Sequence, residues 1–71
     1  MYEMNDCVAV VERRREDYGM TVRALSQKSG VREDALYNIL GRKRKMTASE
    51  LLSLSAVLHL TFDDYVPRRA V

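Results

Sequence analysis

An all-α fold is what this 71-residue sequence predicts, on three observations. Apolar residues recur at three- and four-residue spacings in successive short segments. Residues that cap helices stand before those segments, and Gly19, Gly30, Gly41 and Pro67 stand after them. No stretch alternates apolar and polar residues as a half-buried strand would, and there is no internal repeat or low-complexity segment. The expectation is five short helices around one core, in a single domain over 1–71. The ordered part should span about 6–66, with short tails at 1–4 and 67–71.

Taken in order, helix 1 should begin on Asn5 or Asp6, either of which can accept a bond from a helix N-terminus. Val8, Val11, the stem of Arg15 and Tyr18 share its inward face, and Glu12, Arg13, Glu16 and Asp17 form a solvated charged face. Gly19 should stop it, because glycine enters the left-handed region at no steric cost. Met20 is a connector. Thr21 caps helix 2, Val22 to about Ser29, which buries Leu25 and closes on Gly30. Val31 is the apolar turn residue. Helix 3 spans about Glu33 to Leu40, buries Leu36 and Ile39 with Leu40 or Ala35, and ends at Gly41. Its cap position holds Arg32, which cannot accept a bond; Glu33 and Asp34 compensate in part by placing negative charge on the first turn.

Thr47 and Glu50 form a capping box that fixes the start of helix 4, whose apolar face is Leu51, Leu54, Val57 and Leu58. His59 falls at its end, as a C-terminal cation or a solvent-facing residue. Leu60 connects to a shorter capping pattern, Thr61 to Asp64. A helix of one or two turns follows, with Phe62, Tyr65 and Val66 closing the core and Pro67 terminating it.

Composition bounds the function. Residues 13–45 hold ten Lys/Arg against four acids, net +6; the remainder holds two against six, net −4. A basic middle between acidic ends suits a polyanion. One cysteine, Cys7, permits no internal disulfide and fits a reducing compartment. No segment approaches the roughly 20 apolar residues of a membrane span, and the N-terminus has no apolar signal-peptide core, so a cytoplasmic location is expected without membrane association. The one His is far from the one Cys, and no second His or Cys stands near enough to complete a metal set. Paired carboxylates with a pocket, a Ser/His/Asp set and a glycine-rich phosphate loop are all missing, so neither an enzyme, a cofactor nor a small-molecule substrate is expected.

The basic middle coincides with a helix, a tight turn and a second helix over Thr21–Lys45, followed directly by Arg42-Lys43-Arg44-Lys45. That is the outline of a helix-turn-helix, whose second helix enters a DNA major groove. The run Thr21, Leu25, Gly30, Val31, Leu36, Ile39 and Gly41, with Leu60-Thr61-Phe62-Asp63 further on, resembles the phage-repressor/Cro-type (lambda-repressor-like, XRE-type) helix-turn-helix domain over about residues 8–66. The resemblance implies a five-helix lambda-repressor-like bundle that binds double-stranded DNA sequence-specifically as a transcriptional regulator, usually as a homodimer. Helices 4 and 5 would pair the copies, through Leu52, Phe62, Val66 or the tail. It implies base-facing roles for Glu33, Asp34, Tyr37 and Asn38. It implies phosphate contacts from Arg14, Thr21, Arg23, Arg32, Arg42, Lys43, Arg44 and Lys45.

The chain departs from the family pattern in two places. Helix 2 opens on Val22, where the family often has a Gln bonded to the DNA backbone. Leu40 holds the position of an acid that often pairs with an Arg of helix 1, here Arg15. Val22, Glu33 and Asp34 suit an alternative, a protein-interaction module such as an adaptor or antitoxin-like partner on the same fold.

Overall fold

The computed structural model describes residues 6–66. The expected tails at 1–4 and 67–71, and the expected roles of Asn5 and Pro67, lie outside those residues. Five helices are present: α1 Cys7–Asp17, α2 Val22–Ser29, α3 Glu33–Leu40, α4 Ala48–Leu58 and α5 Phe62–Tyr65. No strand occurs among the described residues.

Each helix starts where a local chemical signal says it should. The Asp6 carboxylate accepts from the amides of Val8 (3.1 Å) and Ala9 (3.3 Å) to open α1. Thr21 Oγ1 accepts from Ala24 N at 3.0 Å to open α2. Both halves of the Thr47–Glu50 capping box form: Glu50 N donates to Thr47 Oγ1 (3.2 Å) and Thr47 N to Glu50 Oε1 (2.9 Å). At α5 the Asp64 carboxylate accepts from Thr61 N at 2.7 Å. At α3 the N-cap residue gives no side-chain cap, as Arg32 dictates.

The core is Val11, Leu25, Val31, Leu36, Ile39, Leu54, Leu58, Leu60 and Tyr65. Helix α1 packs on α3, α4 and α5, while α2 packs on α3 and α4. The α2–α3 hairpin is thereby held from behind by α1 and α4. Cys7 packs, partly buried, against this core.

Two aromatic expectations are corrected. Tyr18, placed on the inward face of α1, is 47% exposed. It sits at the C-cap, where the chain leaves the helix and helical spacing no longer sets its direction. Phe62, expected to close the core, is 61% exposed. A one-turn helix offers the core little more than one side chain, and Tyr65 takes that place, its hydroxyl 2.6 Å from Ser55 Oγ.

The helix ends use two kinds of left-handed residue. Gly19 (φ +63°) and Gly30 (φ +78°) close α1 and α2 as expected. After α3, however, Gly41 has an ordinary φ of −81°, and the left-handed position falls one residue later on Arg42 (φ +60°). Arg42 N donates to Ile39 O (3.0 Å) and Lys43 N to Asn38 O (2.8 Å), the paired bonds of a Schellman turn. His59, also left-handed at φ +55°, closes α4 in the same region of backbone space.

Candidate nucleic-acid interface

The hairpin turn is built by side chains on α2. Gly30 turns the chain, Val31 drops into the core, Ser26 Oγ donates to Val31 O (2.5 Å), and Val31 N donates to Ser29 Oγ (3.2 Å). These serine bonds satisfy backbone groups that a tight turn would otherwise leave without partners.

The turn fixes which face of α3 is free. Leu36 and Ile39 are wholly buried, so Glu33, Asp34, Tyr37 and Asn38 share the exposed face, with Tyr37 at 58% exposure. The four expected base-facing residues are thus brought together on one surface. Arg32, just before them, is exposed and pairs with Asp34 (Nε to Oδ1, 3.3 Å). That exposed pair offsets part of the acidity at the start of the helix.

The eight expected phosphate contacts divide into three groups. Arg23, Lys43 and Lys45 are exposed and have no ion-pair partner among the described residues. Thr21 is exposed, with its oxygen engaged as the α2 cap. Arg14, Arg32, Arg42 and Arg44 all have partners within the fold. Arg42 Nη2 lies 2.6 Å from Asp6 Oδ2. Arg44 forms a two-bond pair with Glu50, at 3.0 and 2.6 Å, and also donates to Lys45 O.

The electrostatic consequences follow from those pairs. The Arg42 guanidinium, with the amides of Ala9 and Val8, holds the Asp6 carboxyl below its usual range. The Arg44 guanidinium and the Thr47 amide hold Glu50 down to about 2. Both acids are therefore ionised beside the basic loop at neutral pH.

Arg14 is turned back onto the fold rather than outward. Its Nη1 donates to Leu58 O (3.0 Å) and His59 O (3.2 Å), and its Nη2 lies 3.3 Å from Asp64 Oδ1. A guanidinium at the C-terminus of α4 satisfies carbonyls that the helix itself cannot, and it opposes the negative end of the dipole. Tyr18 lies against it, 5.8 Å from guanidinium carbon to ring centroid. This role spans 44 residues of sequence, and nothing local signals it.

The two departures from the family pattern are also resolved. Val22 is partly buried against the core, so it is not an apolar surface offered to a partner. Arg15 turns to Glu12 of its own helix and donates to Met20 O at 2.6 Å. Glu12 consequently leaves the solvated face assigned to it and becomes half-buried.

Among the described residues, no group of three or more His, Cys, Asp or Glu could hold a metal ion, and no helix is long and apolar enough to cross a membrane. A five-helix bundle whose second and third helices present one exposed polar face defines a helix-turn-helix domain. The family model for the Cro/C1-type HTH DNA-binding domain matches residues 11–66, and the chain belongs to that family. No curated protein and no solved structure gives a significant match. Membership makes the chain a DNA-binding regulator in general terms, in a family that is typically non-enzymatic.

Proposed function

We propose that the chain acts as one sequence-specific DNA-binding domain, a transcriptional repressor of phage-repressor/Cro type working in the cytoplasm. In this reading α3 lies in the major groove. Asn38 pairs with adenine, Glu33 or Asp34 accepts from cytosine N4, and Tyr37 packs beside them. Arg23, Arg32, Lys43 and Lys45, with Thr21, hold the phosphates that flank the groove. Two copies pair through α4 and α5, where Leu52 (71% exposed) and Phe62 supply apolar contacts. The observation that carries the reading is α3: its inward face is sealed in the core of a Cro/C1-type domain, and its outward face is polar and exposed.

A second reading, a protein-interaction module on the same fold, draws support from Glu33 and Asp34, which place two carboxylates at the exposed start of α3. Changing Lys43 and Lys45 to Glu separates the two readings. Neither lysine has an ion-pair partner among the described residues, so the variant should melt like the parent. On a duplex oligonucleotide followed by anisotropy, its log K against log salt should be shallower by about 1.8, at about 0.9 per lost phosphate contact. An unchanged slope would favour the protein-interaction module.

A further inference from the structure

We propose that Asp6 and Glu50 set the DNA affinity of this surface by masking Arg42 and Arg44, each carboxylate occupying guanidinium donors that a phosphate would otherwise take. The inference rests on the DNA-binding reading above and concerns how strongly that surface acts.

The four-residue basic loop is not uniform. Arg42 and Arg44 are each held by a carboxylate, whereas Lys43 and Lys45, alternating with them, have no such partner among the described residues. The two acids come from opposite sides of the loop, Asp6 from the start of α1 and Glu50 from the first turn of α4. Each is already fixed by a second task. Asp6 accepts the amides of Val8 and Ala9, and Glu50 accepts the amide of Thr47. A carboxylate pinned by its own helix loses no further side-chain freedom on meeting an arginine, so it competes well with an incoming phosphate. The pairs are partly exposed and therefore weak enough to exchange. Two bound acids also repel phosphate directly. The resting fold thus offers DNA fewer positive contacts than its sequence counts.

The test uses two changes that keep the caps and remove the charge, Asp6→Asn and Glu50→Gln. Asparagine caps a helix as well as aspartate does, and glutamine completes a capping box. Anisotropy titrations of the full chain on a mixed-sequence duplex should show tighter binding for each variant at low salt. The salt slope should steepen by about 0.9 per unmasked arginine, which is about 3.5-fold more affinity lost between 50 and 200 mM salt. Repeating Asp6→Asn with Arg42→Gln, and Glu50→Gln with Arg44→Gln, should abolish the gain. A gain that survives without the arginine reports only the change of net charge and overturns masking. Unchanged or weaker binding by the single variants, beside a parent with a steep salt slope, overturns this inference and leaves the DNA-binding reading intact. A parent that fails to bind while the variants bind supports masking. Failure of all of them to bind overturns both.

Discussion

Arg14 ties α1 to the C-terminal helices, because one guanidinium closes α4 and reaches α5. It bonds Leu58 O, His59 O and the Asp64 carboxylate. Changing Arg14 to Ala should lower stability by about 2 kcal/mol, the range for hydrogen bonds to a charged group. The shift should appear as a lower urea midpoint with an unchanged m-value. A loss under about half a kcal/mol would show that the carbonyls are equally well served by water. Glu50 gives a second prediction, in pH. Its folded pKa of about 2 lies below the 4.5 expected of it unfolded, so its contribution is fully present above about pH 4.5 and fades as pH falls toward 2. Glu50→Gln should therefore be less stable than the parent at pH 6, with the difference shrinking toward pH 2. A difference that stays constant across that window would rule out the ionised pair with Arg44 as its source.

Helix starts and helix ends differ in how openly the sequence displays them. Asp6, Thr21, Thr47 and Thr61 cap within three residues of their own position, so each start could be read from local chemistry. Ends that fall on glycine were equally plain at Gly19 and Gly30. The end of α3 was displaced, since Gly41 marks the stop but Arg42 takes the left-handed backbone. His59 carries the same burden at the end of α4. A non-glycine residue held there costs on the order of 1 kcal/mol. His59→Gly, which keeps the carbonyl that Arg14 reaches, should raise stability by about 1 kcal/mol in thermal melts. A lower melting temperature would mean that the His59 ring, 6.4 Å from that of Tyr18, contributes more than the backbone strain removes.

Across the whole molecule, the scaffold of the hairpin was legible and the state of its charges was not. Leu25, Val31, Leu36 and Ile39 follow helical spacing, and all are buried. The exposed set on α3 then follows from geometry, as the complement of that buried face. Ionic partners obey no such period. Arg42 meets Asp6 and Arg14 meets the end of α4 only because the bundle brings distant segments together. A count of basic residues in the sequence therefore overstates the cations that face outward without a partner. Phe62 and Tyr18 illustrate the same point for apolar residues: at a helix end or in a single turn, spacing ceases to predict direction.

The central claim is that two copies of this domain read DNA sequence through α3. Selection of random duplex oligonucleotides by the purified protein tests it most directly. The account predicts an enriched palindrome whose half-sites lie about one helical turn apart, roughly 10 base pairs centre to centre. It further predicts that Asn38→Ala relaxes the preference at one position of each half-site. Recovery of an unenriched pool, from a protein that remains folded, would contradict it.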